Sequence, residues 1–349
     1  MKISNSVLLR DIEHICQSSY IDFNKFKNST ILITGATGLL GSILVKALLL
    51  KNEQDQLNMK LVLVVRKISK AKAIFGDCDA IEYVEDSVES FSYEGSVDYV
   101  IHGASPTKSK FFIEKPVETI DSIVGGTKNV LSIAKEKSVK SLIYLSSMEM
   151  YGTMDAENVT ENQLGYIDPK KVRSSYSEGK RFAELLCYSY SQEFNVPVKI
   201  VRIAQTFGPG ISKEENRVYR VFADAVIKGE DIVLKSKGTT VINYSYTTDT
   251  VIGLLFVLFN GKNGESYNLV GNKTNMTILD SAKWLAEEFT QNKSNVLIDI
   301  PKENAGFAPD NKMVLSNEKI IALGWKPEFS LKDGYRNLIS YLREEYSKL

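Results

Sequence analysis

Hydrophobic residues from Ser29 onward fall into short β-branched runs that alternate with longer stretches of helical periodicity. The runs predict six strands, at residues 30–33, 61–65, 81–84, 97–102, 141–145 and 198–203. The longest helical stretches lie at residues 42–50, 117–137 and 175–194. Strands that alternate with helices predict an α/β fold with a doubly wound parallel sheet and right-handed crossovers.

Composition narrows the class of protein. The 349 residues are 43% hydrophobic and 25% charged, which suits a globular chain with a sizeable core. The 43 Lys and Arg residues equal the 43 Asp and Glu residues, so we expect no nucleic acid polymer and no membrane as a partner. Apolar runs stay far below the roughly 20 residues of a membrane span.

Targeting and redox signals favour a cytoplasmic protein. Residues 1–11 are charged and lack the apolar core of a secretory signal. Three scattered cysteines, Cys16, Cys78 and Cys187, suit a reducing compartment and not a disulfide framework. Because the chain has only two histidines, we expect no histidine-built metal site.

Three glycines, Gly35, Gly38 and Gly41, separate the first strand from the helix that follows it. Glycine permits a tight turn and lets backbone N–H groups approach a pyrophosphate at the helix N-terminus. This context predicts a Rossmann-type dinucleotide site, and it favours that reading over an ordinary strand–helix turn. The candidate cofactor contacts in this loop also include Thr37, Leu39 and Leu40.

The end of the second strand bears on which dinucleotide binds. An acidic residue there would bind the ribose hydroxyls of NAD, whereas a basic residue tolerates the extra phosphate of NADP. The sequence offers Arg66 and Lys67 and no acid, so the cofactor is NAD or NADP with NADP favoured. Asp86 and Ser87, after the third strand, are candidates for contact with the adenine.

Tyr176 and Lys180 lie four residues apart on one face of the predicted helix at residues 175–194. A tyrosine is a poor base at neutral pH, but a nearby ammonium favours its phenolate. Ser147, just past a strand end, could hydrogen-bond to the same reacting hydroxyl. Together with the glycine loop upstream, these three residues predict a dehydrogenase-type catalytic site.

The domain boundaries follow from the same pattern. Residues 1–28 predict an N-terminal helical extension, with a loose tail as the alternative. Residues 29–204 predict the dinucleotide-binding Rossmann domain, to which residues 241–262 return. Residues 205–240 and 263–349, where the alternation loosens, predict a smaller C-terminal α/β substrate-binding lobe.

At this point the sequence resembles the extended short-chain dehydrogenase/reductase superfamily, in its NAD-dependent epimerase/dehydratase branch. Within that branch it is most similar to UDP-glucuronate decarboxylases and nucleotide-sugar 4,6-dehydratases. The resemblance covers most of residues 29–335. It is carried by the segments Thr34–Gly41, His102–Pro106, Ser146–Gly152, Tyr176–Arg181 and Arg202–Gly210.

The resemblance implies transient removal of a hydride from C4 of a nucleotide-diphosphate sugar, with Tyr176 taking the hydroxyl proton. Glu149 stands where decarboxylases and 4,6-dehydratases of this branch carry a glutamate for the second chemical step. A homodimer that pairs through the helices at 117–137 and 175–194 is also implied. The implied cofactor contacts are Gly103, Ala104, Ser105, Tyr176 and Lys180. The implied substrate contacts are Ser105, Pro106, Gln205, Arg217 and Tyr244.

Three departures from the family pattern concern the substrate. Ile242 occupies the position of an arginine that grips the diphosphate, so a charge-assisted bond is missing. Gln205 replaces the usual asparagine, and Met148 stands where some dehydratases carry an acid. Arg217 and Arg220 are candidates to supply the missing charge, or are ordinary surface arginines.

The sequence therefore favours a nucleotide-sugar enzyme that works through a 4-keto intermediate, of the decarboxylase or 4,6-dehydratase type. A 4-epimerase or 4-reductase is the alternative. A non-catalytic NAD(P)-binding sensor is an alternative of another class, although such proteins usually lose the tyrosine or the lysine.

Overall fold

The computed structural model describes residues 3–291, 293–300 and 311–348, so residues 1–2, 292, 301–310 and 349 of the predicted extension and lobe lie outside the described residues. The described strands are, in chain order, β1 (Thr30–Thr34), β2 (Lys60–Val65), β3 (Ile81–Glu85), β4 (Tyr99–His102), β5 (Ser141–Ser147), β6 (Val198–Ile203), β7 (Gln205–Phe207), β8 (Ile232–Leu234), β9 (Val241–Ile242), β10 (Tyr244–Tyr246), β11 (Ser266–Leu269), β12 (Met276–Thr277) and β13 (Val296–Ile298). The described α-helices are α1 (Ser6–Gln17), α2 (Leu39–Asp55), α3 (Ile68–Phe75), α4 (Ser109–Glu114), α5 (Pro116–Ile120), α6 (Gly126–Glu136), α7 (Ser174–Phe194), α8 (Val218–Lys228), α9 (Thr247–Asn260), α10 (Ile278–Thr290), α11 (Glu318–Leu323) and α12 (Leu331–Tyr346).

Seven of these strands form one parallel sheet in the order β11-β6-β5-β4-β1-β2-β3. Successive side chains of a strand point to opposite faces, and both faces are covered by helices. In β1, Ile31 and Ile33 belong to one hydrophobic cluster and Leu32 to the other. The predicted fold class, a Rossmann-type doubly wound sheet, is confirmed.

The strand order reverses between β1 and β4, whose carboxyl ends lie side by side, with Thr34 opposite His102. Such a reversal leaves a crevice outside the carboxyl ends of the strands, where open α/β sheets bind their ligands. The fold therefore directs attention to the loops that follow β1, β4 and β5.

The strand β11 extends the main sheet beside β6, with Ser266 opposite Ile200. The sequence pattern predicts that residues 263–349 belong to the lobe, but in the structure this strand belongs to the main sheet. The sequence Ser-Tyr-Asn-Leu lacks a β-branched run, which explains why it did not register as a core strand. The largely buried helix α9 packs on β5 and β6 of the main sheet, whereas β9 and β10, at the start of the predicted return segment 241–262, pair outside that sheet.

The N-terminal segment is part of the main core. Asn5 caps α1 by accepting hydrogen bonds from two backbone N–H groups, and α1 packs against α2, α9 and α12. Ile12 and Ile15 are fully buried, and Phe26 packs its ring against those of Tyr99 and Phe259. The described part of residues 1–28 is therefore a packed helical segment and not a loose tail.

The lobe is built from three short strand pairs, β7 with β10, β8 with β13 and β9 with β12. Helix α8 lies in the segment 213–237, for which no element was predicted. The predicted helix at residues 117–137 contains a π-helical turn at Asp121–Gly125, between α5 and α6. Within the part of the chain that the structure describes, no helix is long and apolar enough to cross a membrane.

Candidate active site

The turn between β1 and α2 leaves no room for a side chain at two of its glycines. Gly35 has a φ of +78°, and a Cβ atom there would lie 2.6 Å from the carbonyl carbon of Gly103. A Cβ atom at Gly41 would lie 2.2 Å from the Gly35 carbonyl oxygen. No described side chain caps α2 at Gly38, so backbone N–H groups of its first turn are available to an anion. This geometry fits the pyrophosphate of a dinucleotide.

A chain of hydrogen bonds fixes the loop after β4 against this turn. The Ala104 N–H donates to Thr34 Oγ1 over 3.1 Å, and Thr34 Oγ1 lies 2.7 Å from His102 Nδ1. His102 Nε2 lies 3.1 Å from Thr127 Oγ1, which donates its own proton to the Ile123 carbonyl over 2.6 Å. Because Thr127 has committed its proton, it accepts from His102, which assigns the Nε2–H tautomer. Thr34 then donates to Nδ1.

His102 holds this position as a neutral ring. Burial, assisted by the nearby charge of Lys180, lowers the pKa of His102 to about 3. The imidazole is therefore a fixed hydrogen-bonding spacer and not a proton carrier at neutral pH. It anchors the start of the loop that carries the predicted contacts Gly103, Ala104 and Ser105.

Three of the four predicted catalytic side chains meet at the carboxyl end of β5. Ser147 is the last residue of that strand, and Tyr176 and Lys180 lie in the first turns of α7. The Ser147 side chain lies close enough to the Tyr176 phenol to lower the pKa of that phenol. Lys180 Nζ donates to the Leu145 carbonyl over 2.8 Å and lies 5.9 Å from the centre of the Tyr176 ring. The structure thus brings together Ser147, Tyr176 and Lys180, the three residues that the sequence pattern indicated.

Burial shifts both titrating groups of this trio toward their neutral forms. Burial and the charge of Glu149 raise the pKa of Tyr176 to about 12, against the opposing effects of Ser147, Arg217 and Arg173. Burial also lowers the pKa of Lys180 to about 8. The pKa of Tyr176 is therefore raised, whereas the sequence predicted that a nearby ammonium would lower it. The reason is that desolvation of the phenolate outweighs the neighbouring positive charges.

A second aromatic ring covers Tyr176. Phe112 of α4 stacks on it with ring centres 4.3 Å apart and planes 10° apart. The Ser175 hydroxyl donates to the Phe112 carbonyl over 3.3 Å, which ties α4 to α7. Phe112 keeps water from one face of the phenol and so contributes to its raised pKa. No local sequence pattern indicates this contact, because α4 and α7 are more than 50 residues apart.

Glu149 lies in a 3₁₀ turn, Met148–Tyr151, directly after β5. Its backbone N–H donates to Ser147 Oγ over 3.2 Å. Its carboxylate accepts hydrogen bonds from Arg173 Nη1 at 2.9 Å and from Nη2 at 3.4 Å. Because the charge of Glu149 raises the pKa of Tyr176, this carboxylate acts on the same phenol. Arg173 was not singled out from the sequence, although its place three residues before Tyr176 puts it one helical turn away.

The two arginines that could replace the missing charge at Ile242 differ in position. Arg217 acts electrostatically on Tyr176 and donates from Nη2 to the Thr107 carbonyl over 3.3 Å. Arg220 instead donates to Asp224 over 2.8 Å and to the Tyr346 hydroxyl over 2.8 Å. Arg217 therefore faces the site, whereas Arg220 ties α8 to α12. Ile242 itself is buried in the main hydrophobic core.

The remaining predicted contacts differ in how deeply they are buried. Tyr244 is fully buried, with its ring 5.1 Å from that of Phe207, so it lies in the aromatic core of the lobe. Gln205 is half-buried at the start of β7. The other half-buried residues are Thr37, Leu39, Leu40, Ser87, Ser105 and Pro106. The exposed ones are Arg66, Lys67 and Asp86.

A buried polar network supports the site from below. Ser146, next to Ser147, donates to Glu184 over 2.5 Å, and Arg202 forms an ion pair with the same carboxylate at 2.8 Å. Arg202 also donates to the Tyr151 hydroxyl, which donates to Asn268 of β11. The network joins β5, α7, β6 and β11, and sequence spacing could not predict it because its members come from distant segments.

Proteins of similar sequence agree with the family resemblance described above. The model of the NAD dependent epimerase/dehydratase family matches residues 31–270. UDP-glucuronic acid decarboxylase 6 of Arabidopsis thaliana is 30% identical over 307 residues, which cover 88% of this chain and 87% of the relative. UDP-glucuronic acid decarboxylase 1 of Danio rerio is 29% identical over 90% of this chain and 73% of its own.

Solved structures show the same fold at lower identity. DesIV, a dTDP-glucose 4,6-dehydratase from Streptomyces venezuelae with NAD and TYD bound, has a TM-score of 0.75 and 22% identity and covers 91% of this chain and 98% of its own. UDP-glucose 4-epimerase from Thermotoga maritima, with UDP-glucose, has a TM-score of 0.72 and 21% identity and covers 91% of this chain and 99% of its own.

The close contact at Gly41 generates a test of the dinucleotide site. Gly41→Ala places a Cβ atom against a backbone oxygen, and overpacking of this kind costs about 1–3 kcal/mol, so we expect dinucleotide affinity to fall by about tenfold or more. The matched control is Gly125→Ala, whose Cβ atom would meet nothing closer than 3.8 Å. Calorimetric titration compares the two, and equal affinity of Gly41→Ala and wild type would remove the loop from the dinucleotide site.

Proposed function

The chain belongs to the NAD-dependent epimerase/dehydratase family, and we propose that it oxidises C4 of a nucleoside-diphosphate sugar to a ketone and then acts on that intermediate through Glu149. The observation that carries this proposal is the convergence of Ser147, Tyr176 and Lys180 at the carboxyl end of β5, with the Glu149 carboxylate acting on the same phenol.

The first step removes a hydride from C4 and a proton from the hydroxyl group on C4. A bound nicotinamide dinucleotide supplies the acceptor for the hydride. Tyr176 takes the proton of the C4 hydroxyl, Ser147 hydrogen-bonds to that hydroxyl, and Lys180 stabilises the phenolate with its ammonium charge. Phe112 covers one face of the Tyr176 phenol and so keeps water from that side of the proton acceptor.

For the second step, decarboxylation is the leading candidate. A ketone at C4 of a uronic acid is β to its carboxylate, so the bond from C5 to the carboxyl carbon can break with release of carbon dioxide. The electrons of that bond pass into the enolate of the ketone, and C5 then takes a proton that Glu149 relays from solvent. Met148 stands where a 4,6-dehydratase would need an acid for the leaving hydroxyl, and its thioether cannot supply a proton. The similarity to UDP-glucuronic acid decarboxylases also supports this choice.

Arg217 is our candidate for contact with the diphosphate of the substrate. It acts on Tyr176 and reaches Thr107, which follows the predicted substrate contacts Ser105 and Pro106. A guanidinium can bind a phosphate through two N–H groups. Arg217 would thus provide the charge that Ile242 lacks, with Gln205 at the adjoining edge of the lobe. Tyr244, in contrast, would not touch the substrate; it would support this part of the lobe from within the aromatic core.

An apolar surface supports the proposal of a homodimer. Val117 and Ile120 of α5 and Phe182 and Leu185 of α7 are each between 43% and 64% exposed, and α5 packs against α7. Burial of such a patch favours association. We expect a sedimentation mass of about twice 39.1 kDa, and a monomer at micromolar concentration would contradict this.

We also propose a cytoplasmic location, where reduced cysteines are stable. Cell fractionation would test it.

The catalytic role of Tyr176 is tested by removal of its hydroxyl. Tyr176→Phe should keep dinucleotide affinity and lose turnover of a uridine diphosphate uronic acid by at least ~10²-fold, because the proton acceptor is gone. Tyr166→Phe, at a 69% exposed position, is the matched control and should turn over normally. Mass spectrometry of the product measures both, and Tyr176→Phe activity within a few-fold of wild type would rule out the role.

Glu149→Gln separates the two steps. The variant keeps size and hydrogen bonding but loses the negative charge, so it should still reduce the bound cofactor, seen in the near ultraviolet, and then stall before the second step. Glu157→Gln, at an exposed position, is the control. Normal turnover of Glu149→Gln would make 4-epimerase or 4-reductase chemistry the better proposal, and absence of cofactor reduction in wild type with every nucleotide sugar would favour a sensor.

The cofactor preference is tested at the end of β2. Arg66 is exposed there, and the nearby carboxylate of Glu85 accepts the Ile68 N–H over 2.7 Å. We propose that NADP binds at least as tightly as NAD and that Arg66→Asp shifts the preference toward NAD. Lys70→Asp, on the exposed face of α3, should leave the preference unchanged. Equilibrium titration with both cofactors decides the matter, and a strong NAD preference in wild type would overturn the proposal.

A further inference from the structure

Arg173 and Glu149 form a two-pronged ion pair beside the reaction centre. Arg173 Nη1 lies 2.9 Å from Oε2 and Nη2 lies 3.4 Å from Oε1, so each nitrogen faces one oxygen of the carboxylate. The Ser177 hydroxyl lies 3.5 Å from the same Oε2. The side chains are only 21% and 33% exposed, so the pair is partly shielded from solvent.

The backbone places Arg173 for this contact. It lies immediately before α7, three residues ahead of Tyr176, so the two side chains leave the same end of the helix. Its Nη2 also lies 3.5 Å from the Ser109 hydroxyl of α4. Its Nε is buried and has no hydrogen-bond partner among the described residues. The guanidinium therefore makes its closest contacts with Glu149.

The two charges of the pair act on Tyr176 in opposite directions. Glu149 raises the pKa of the phenol, whereas Arg173 lowers it. A carboxylate close to a base that must become a phenolate is a liability for the first step, since two negative charges repel each other. The same carboxylate is needed for the second step of the proposed reaction. Both requirements are met if a fixed positive charge accompanies it.

We propose that Arg173 is a positioning residue that aims the Glu149 carboxylate at the sugar and cancels its charge toward Tyr176. The proposal rests on the proposed function, in which Glu149 serves the second step. Under this proposal the first step needs Arg173 only because Glu149 is present. Loss of Arg173 should therefore be rescued by loss of the Glu149 charge, whereas loss of a purely structural residue would not be.

The test is a double-mutant cycle read in the first step, the single-turnover rate of cofactor reduction with a uridine diphosphate uronic acid. Arg173→Gln leaves the Glu149 charge unopposed, and the rate should fall by about tenfold, the effect of one pKa unit on the phenolate fraction. Adding Glu149→Gln should restore the rate to that of wild type, because the opposing charge is gone. Lys171→Gln, which removes an exposed positive charge two residues away, is the control and should have no effect.

A restored rate in the double variant supports the proposal. A double variant as slow as Arg173→Gln, or an Arg173→Gln rate equal to wild type, overturns it. If Arg173→Gln does not fold, Arg173→Lys serves instead, because it keeps the charge but not the two-pronged contact. This variant should reduce the cofactor at the normal rate and slow the second step. Normal rates in both steps would overturn the proposal. If Glu149→Gln alone completes both steps normally, the proposed function loses its second step, while the first-step cycle still decides the role of Arg173.

Discussion

Burial of the Tyr176 phenol beside the Lys180 ammonium is the constraint on which the rest of the site depends. Burial raises the pKa of Tyr176 to about 12 and lowers that of Lys180 to about 8, so burial favours the neutral form of both groups. A buried charge is costly unless it is paired. Two arginines, Arg173 and Arg217, lower the pKa of the phenol in opposition to burial, and in the proposed mechanism further positive charge in the crevice has to lower it before Tyr176 serves as a base.

The rest of the fold can be understood as support for that arrangement. The contact of Gly35 with Gly103 and the hydrogen bonds through His102 fix the two loops at the point where strand order reverses. Below the site, the buried ion pair of Glu184 with Arg202 joins α7 to β6, one helical turn beyond Lys180. Removing one partner of such a pair would leave an uncompensated buried charge, which typically costs about 3–5 kcal/mol. The site is thus held by polar contacts that the protein cannot easily lose.

The sequence predicted the sheet and the local motifs well, because these depend on short-range patterns. The β-branched runs indicated six of the seven strands, and the four-residue spacing of Tyr176 and Lys180 placed them on one helix face. What it missed depends on contacts between distant segments. The stack of Phe112 on Tyr176 and the pair of Arg173 with Glu149 required the fold, as did the distinction between Arg217 and Arg220. The direction of the Tyr176 pKa also required the fold, since burial outweighed the charges that spacing alone revealed.

A kinetic isotope effect is the sharpest test of hydride removal from C4. A uridine diphosphate uronic acid carrying deuterium at C4 is mixed with the cofactor-loaded enzyme, and the appearance of reduced cofactor is followed in a single turnover. Deuterium at C4 should slow this signal by a primary isotope effect, whereas deuterium at C3 should not. Product formation with no transient reduced cofactor and no isotope effect at C4 would contradict hydride removal from C4.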